Sequence, residues 1–360
     1  LFVASRGDPS APGRLAALPA EAVDEAVWEW RVRIGLQRQD WRQTLDWIEG
    51  MPPQVARQDQ WRYWRARALE ALDRSGKADA LYRALAEERS YYGFLAADRV
   101  GAPYRLNPDP VNPDPQTLAA LEARPGLLRA RELLLLGRAW QGRVEWNHVL
   151  EGLDEQALKQ AALLAHGWGW HDRAIATLGR ARHWGDLEVR FPLPHRARVL
   201  AAARAEAIDP AWIYGVMRQE SIFQPDVRSH AGALGLMQIM PATGRQIARR
   251  LKVSHQGHNV LLDEATNIRY GAHYLRLVLD QLQDSPLLAT AAYNAGPSRV
   301  KSWLPPGPLA PDIWAELIPF HETRKYVKRV MEYATIYQQL LGRNAESLAQ
   351  RMPLVLPKAL

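Results

Sequence analysis

Through roughly residues 20 to 190, apolar positions recur at the three- and four-residue spacing of a helix face, and the pattern is helix after helix. The stretch RYWRARALEALDRSGKADALYRALAEERSYYGFLAADRVG (62–101) sets Trp64, Ala68, Gly76, Ala80 and Leu85 in the order of a helix-turn-helix repeat. QDWRQTLDWIEGMPP (39–53) and GWHDRAIATLGRARHWGD (169–186) echo it. Most of the 14 Trp fall before residue 210, and at helical spacing they read as packing between stacked helices rather than as a sugar platform. Proline-rich breaks at YRLNPDPVNPDPQ (104–116) and FPLPHRARV (191–199) divide the pattern. The expected fold class is all-α, in segments 1–103, 104–190 and 191–345 with a tail over 346–360.

Asp209 followed by Pro210 is a helix start: Asp accepts the first free amides, and proline at the first helical position loses no needed donor. Ile213, Val216, Met217 and Glu220 then recur on one face, so Glu220 lies on an apolar stripe at the end of that helix. Lost hydration and the negative end of the helix dipole both favour its protonated form, and a raised pKa is expected. A Glu so tuned can hold a proton near neutral pH and give it to a leaving oxygen, as lysozyme's glutamate in a hydrophobic pocket does. The alternative is a helix-terminal Glu that turns into water.

Beyond Glu220, Gly232 and Gly235 bracket a turn closing on LMQIMP, before a new helix start at Pro241. AAYNAGPSRVKSW (291–303) puts Tyr293 and Asn294 at a helix end, with Gly296 and Pro297 as its stop signal. IPFHETRKYVKRV (318–330) leads into a second acid, Glu322.

ESxFxPxxxSxAGAxGLMQIMPAT, then AYNAGP, then IPFxETRxYV, in this order, resembles the catalytic domain of the soluble lytic transglycosylases, lysozyme-like enzymes that cleave bacterial peptidoglycan. The likeness covers roughly residues 195 to 340. It implies that Glu220 is the catalytic acid/base and that Ser229, Met237, Gln238, Tyr293, Asn294 and Glu322 are substrate-binding positions. Gly244, Ser298 and Arg329 depart from the residues common at their places, which touches subsite detail and not the acid. More weakly, SYYGFLAADRVG resembles a helix of the family's linker domain. The implied architecture is an α-superhelical repeat region (1–103), a helical linker domain (104–190) and a lysozyme-like catalytic domain (191–345).

Glycoside hydrolysis ordinarily uses two carboxylates, yet here only one acid is well placed. The next in sequence, Asp226, reads as a solvated loop residue. Substrate assistance removes the need for a second, because an N-acetyl sugar carries its own acetamido oxygen. Glu220 would protonate the oxygen between N-acetylmuramic acid and N-acetylglucosamine, then take the proton from the muramyl C6 hydroxyl as it attacks C1 and closes a 1,6-anhydro ring. Ser229 could orient the acetamido group or Glu220, or cap a turn. Tyr293 could bond either group, or be a core tyrosine. Gln238 and Met237 could line a sugar subsite, although a Met beside a helix start also fits the core. Asn294 fits a helix cap equally well, and Glu322 fits a helix N-terminus. Two other readings stay open: a goose-type lysozyme, in which water attacks, and a non-catalytic scaffold that only grips glycan.

At 360 residues the chain can hold two or three domains, and with no cysteine it has neither disulfides nor a thiol nucleophile. Its net charge of +7 is scattered through Ala- and Leu-rich helices without a basic block, which suits an acidic polymer and points away from nucleic acid. Neither a cofactor nor a metal is expected, since His255 and His258 sit in a polar loop without further ligands. No apolar run approaches a transmembrane segment, and LFVASRGDPSAPG does not read as a signal peptide. The resemblance implies a periplasmic enzyme, its signal peptide outside this sequence, possible outer-membrane association, and possible docking of cell-wall proteins on the repeats.

Overall fold

A computed structural model describes residues 10–19, 22–254, 257–343 and 346–358; His255 lies outside them. The helices are α1 Ala11–Ala16, α2 Glu25–Arg38, α3 Trp41–Glu49, α4 Pro53–Ala56, α5 Asp59–Ala71, α6 Ser75–Ala86 and α7 Tyr91–Val100. After the proline-rich break come α8 Pro115–Glu122, α9 Pro125–Leu135, α10 Ala139–Leu150, α11 Glu155–Gly167, α12 His171–Arg180, α13 Leu187–Arg190 and α14 Arg196–Glu206. The remainder holds α15 Pro210–Glu220, α16 Pro241–Leu251, α17 Glu264–Asp280, α18 Pro286–Ala295, α19 Pro297–Ser302, α20 Pro311–Leu317, α21 His321–Leu340 and α22 Leu348–Arg351. Among the described residues, β-structure is confined to isolated bridges. Two compact units form. One comprises Leu1–Leu106, Ala207–Gly215 and His273–Leu360; the other comprises Asn107–Glu206 and Val216–Ala272.

In the first unit, local capping starts the repeats. Asp24 accepts from the Val27 amide (2.8 Å), Asp40 from Gln43 (3.0 Å) and Ser90 from Gly93 (3.0 Å), each satisfying an amide that the first helical turn leaves open. Trp64, Ala68 and Leu85 of the repeat pattern are buried, but Gly76 and Ala80 are exposed. The core face of α6 is Ala78, Tyr82, Leu85 and Ala86, because a helix opening at Ser75 turns that set toward α5 and α7. Tyr63 anchors the stack, 5.3 Å from Trp64, 6.0 Å from Tyr82 and 5.4 Å from Tyr92 between ring centroids.

Short α20 sits against these repeats through two acids one turn apart, Asp312 and Glu316, both buried. Asp312 accepts from the Tyr63 hydroxyl and Arg67 Nε, each at 2.8 Å. Glu316 accepts from Lys328 Nζ (2.6 Å), the Tyr92 hydroxyl (2.7 Å) and Arg33 Nε (3.3 Å). Residues some 250 positions apart in the chain thus share one buried polar network. The start of α15 crosses α21 closely: a Cβ on Gly215 would lie 2.9 Å from the Val330 carbonyl, and Tyr214 stacks on Tyr337 at 5.0 Å.

On α21, burial and the nearby Asp59 raise the Glu332 carboxyl to about 7, against the pull of Arg89. A folded pKa above the unfolded one means the fold binds the proton more tightly, so stability is full below about pH 4.5 and declines as pH rises through 7. We expect Glu332→Gln to raise the melting temperature at pH 8 by a few degrees, on the order of 1–2 kcal/mol, and to leave it nearly unchanged at pH 4. Paired thermal melts at the two pH values check this.

The second unit builds its linker core from hairpins α9/α10 and α11/α12. Trp146 is fully buried, edge-on to Trp168 (5.8 Å) and Trp170 (5.6 Å), and donates to Thr177 Oγ1 at 3.1 Å. Tryptophan packing therefore holds here, with two exceptions: Trp140 is 69% and Trp184 53% exposed. The proline-rich break is pinned in this unit, since the Asp109 amide donates to the Gly185 carbonyl (2.8 Å) and the Val111 amide to Asp186 (2.9 Å).

Candidate active site

The candidate residues fall in both units. The second unit holds Glu220, Ser229, Met237 and Gln238; the first holds Tyr293, Asn294 and Glu322.

Helix α15 starts as its sequence dictates, with the Asp209 carboxylate accepting from the Ala211 amide at 2.9 Å. Ile213, Val216 and Met217 are wholly buried, and Glu220 closes the helix half-buried on the same stripe. The chain then turns sharply through Ile222 (φ 54°) and Phe223 (φ 65°), left-handed conformations that side chains of this bulk rarely take. Ser221 holds that turn: its hydroxyl donates to the Leu236 carbonyl (2.8 Å) and accepts from the Phe223 amide (3.1 Å).

The glycine-punctuated segment folds into a small knot of antiparallel bridges, Arg228 with Leu234 and Leu234 with Ile239. Ser229 Oγ accepts from the Ala233 amide at 2.9 Å, so the hydroxyl does cap a turn; the residue is exposed, and its own O–H can still donate outward. Gln238, at φ 47°, donates its side-chain amide to the Gly235 carbonyl (2.8 Å) and more weakly to that of Val227 (3.3 Å). Met237 is fully buried and packs against Gly271 of α17, which places its thioether in the core.

Asn267 organises this knot and carries no signal in the catalytic motifs. Wholly buried on α17, it accepts from the Met237 amide (2.7 Å) and donates to the Leu234 (2.9 Å) and Leu261 (2.6 Å) carbonyls. Gly235, at φ 76°, must be glycine because a Cβ would lie 2.4 Å from the Leu261 carbonyl and 2.5 Å from Asn267 Nδ2. An available sequence clue was an amide and a glycine four residues apart, Asn267 and Gly271, on the apolar face of a helix pattern. We expect Asn267→Leu to cost about 2–3 kcal/mol by stranding one amide and two carbonyls, and to lower activity with it; thermal melts alongside activity assays measure both.

Asp226 departs from its reading as a solvated loop residue. Arg143 of α10 holds it with both terminal nitrogens, at 3.0 and 2.7 Å, and this contact keeps its carboxyl below the usual range despite partial burial.

In the first unit, Tyr293 and Asn294 occupy the last turn of α18, which stops at Gly296 (φ 90°). Asn294 is not a cap: its side-chain oxygen accepts from Thr323 Oγ1 at 2.6 Å and so ties AYNAGP to the ETR stretch. Tyr293 is half-buried with its ring 5.4 Å from Tyr274. Glu322 is exposed in the first turn of α21. Among the described residues no cluster of metal-ligating side chains occurs, and no helix is long and apolar enough to cross a membrane.

A model of the transglycosylase SLT domain matches residues 198–306, and one of the soluble lytic murein transglycosylase L domain matches 120–187. A third, the soluble lytic transglycosylase helical domain, matches 317–346. Soluble lytic murein transglycosylases of Salmonella typhimurium and Escherichia coli are each 34% identical over 319 residues, 87% of this chain and 49% of theirs. The chain belongs to the soluble lytic transglycosylase family. It spans about half the length of these relatives. Among solved structures, an inactive glutamate-to-glutamine variant of the lytic transglycosylase Slt from Pseudomonas aeruginosa is similar with a TM-score of 0.91 and 39% identity, over 96% of this chain and 57% of that one. The 70-kDa soluble lytic transglycosylase of Escherichia coli is similar with a TM-score of 0.84 and 32% identity, over 92% and 53%. The fold class is that of the family, all-α with superhelical repeats and a lysozyme-like domain.

Proposed function

We propose that this chain is a peptidoglycan lytic transglycosylase that cleaves the β-1,4 bond from N-acetylmuramic acid to N-acetylglucosamine and leaves a 1,6-anhydromuramyl end. The observation that carries the reading is Glu220 itself, half-buried at the end of an apolar helix face and followed by a turn locked through Ser221. The inactive state of a glutamate-to-glutamine variant of the Pseudomonas aeruginosa relative supports a single essential acid.

Glu220 protonates the glycosidic oxygen as the C1–O bond breaks. As a carboxylate it then takes the proton of the C6 hydroxyl, whose oxygen forms the new bond to C1; no water is consumed. Ser229 donates to the acetamido group or to Glu220. Gln238, its amide nitrogen engaged by the Gly235 and Val227 carbonyls, presents its side-chain oxygen from a turn fixed by Asn267, and the buried Met237 supports that turn from beneath. Tyr293 and Glu322 contact substrate, while Asn294 sets Thr323 and the helix start beside it. Residues 1–103, 104–190 and 191–345 act as superhelix, linker and catalytic domains, followed by the tail 346–360; the matches at 120–187 and 198–306 support the middle two, although 317–346 matches the helical domain. The enzyme works in the periplasm on glycan strands, with the repeats and outer-membrane association as routes to further partners.

Mass spectrometry of products released from purified peptidoglycan tests the chemistry. Muropeptides lighter by one water, with no reducible end, are expected. Ordinary reducing ends would mean a hydrolase, and bound but uncut glycan would mean a scaffold.

A further inference from the structure

Two consecutive left-handed residues, Ile222 and Phe223, follow Glu220 after Ser221, and such backbone persists only where its surroundings over-determine it. On the core side the restraint is Ser221 with the buried Phe223. Packing alone does not supply the other side. A cavity of about 300 Å³ lies under the loop, lined among others by Leu134, Trp170, His171 and Pro225. Across that gap the loop is held by the bidentate grip of Arg143 on Asp226, at 3.0 and 2.7 Å. A paired fork of this kind fixes orientation as well as distance.

Arg143 is itself aimed by Asp172, which accepts from its Nε at 3.0 Å and is buried. Its side chain is only 11% exposed, so the guanidinium has little freedom to follow a moving loop. Arg143 and Asp172 belong to the segment matched as the linker domain (120–187), whereas Asp226 and Glu220 belong to the segment matched as the catalytic domain (198–306).

We infer that Arg143 is a positioning residue for the transglycosylase reaction: from the linker segment it clamps the 222–226 loop through Asp226 and so fixes the direction of the Glu220 carboxyl. The inference rests on the proposed catalytic role of Glu220. The linker domain is then part of the catalytic apparatus, acting through a single ion pair.

The test is steady-state kinetics on a soluble tetrasaccharide muropeptide, with thermal melts of every variant. Arg143→Ala and Asp226→Asn each lower kcat about 10- to 100-fold, the scale of loss for a reacting group displaced by an ångström, while KM changes little. The double variant is no slower than Arg143→Ala alone, since both act through one contact. Arg143→Lys, which keeps the charge and loses the fork, recovers part of the rate. Asp172 keeps Arg173 as a partner (3.1 Å), so Arg143→Ala does not strand a buried charge. Should that variant nonetheless misfold, Asp226→Asn on the half-exposed side of the pair decides alone. Unchanged kcat in folded variants, additive losses, or a loss that only tracks the melting temperature overturns the inference while wild-type activity upholds the reading beneath it. An inactive wild type overturns both.

Discussion

Glu220→Gln lowers lytic turnover by about three orders of magnitude or more while the protein stays folded and still binds glycan. One positioned acid or base typically contributes about 10²- to 10⁴-fold, and here the same carboxyl serves both steps, so its loss removes both contributions. Glutamine matches the size of glutamate and sits at a half-buried helix end, above Ile213, Val216 and Met217, whose packing does not depend on the proton. Circular dichroism and melting temperature are therefore expected at wild-type values. Product release from peptidoglycan measures the loss, and co-sedimentation with insoluble glycan measures retained binding. Substantial turnover by the folded variant would place the acid elsewhere and end the assignment.

Glu316→Ala costs the fold about 3–5 kcal/mol, the range for removing one member of a buried ionic network. Lys328 and Arg33 both point at this wholly buried carboxylate, and Tyr92 donates to it. Alanine leaves Lys328 without its counter-charge, leaves Arg33 with Glu29 alone (2.8 Å), and opens a void beside them. The melting temperature should fall by about 6–20 °C, taking roughly 2–4 °C per kcal/mol for a domain of this size. The cations, Lys328 foremost, outweigh burial and hold the Glu316 carboxyl far below the usual carboxylate range. The sign of the pH dependence follows from that depression. The contribution is full above the unfolded value of about 4.5 and is lost as pH falls toward the folded one. Wild type thus loses stability in acid, and Glu316→Ala loses less over the same interval. Glu316→Gln keeps the shape and lacks the charge, so it lies between the two. Thermal melts of the three proteins from pH 7 to pH 3 read both effects, and superimposable melting curves would show that the network carries no net stability.

The catalytic segment was legible because its instructions are local. An Asp-Pro start, an apolar stripe that repeats every third or fourth residue, and glycines where a turn needs positive φ each act over a few residues. They placed Glu220 at the end of α15 and identified the turn around Gly232 and Gly235. The all-α class followed from the same periodicity. The phase of α6 did not, because a helix period says that one face is buried and leaves open which one; that was decided when α5 and α7 covered Ala78 and Tyr82 and left Gly76 and Ala80 outside.

Other features exist only once distant segments meet. Asn267 stands 30 residues from the Met237 amide that it receives, Arg143 stands 83 from Asp226, and Arg33 stands 283 from Glu316. A lone amide on an apolar helix face, or an acid in a short helix, signals that some partner must satisfy it, since a buried polar group left unpaired is costly. Nothing in its neighbours says which partner. By itself the sequence determined the helical class, the Asp209-Pro210 start of α15 and the place of Glu220 at its end, all set by interactions within a turn or two. Tertiary structure alone decided what holds that acid and its turn in place, because pairing energies between distant groups are realised only after the chain has brought them to hydrogen-bond distance.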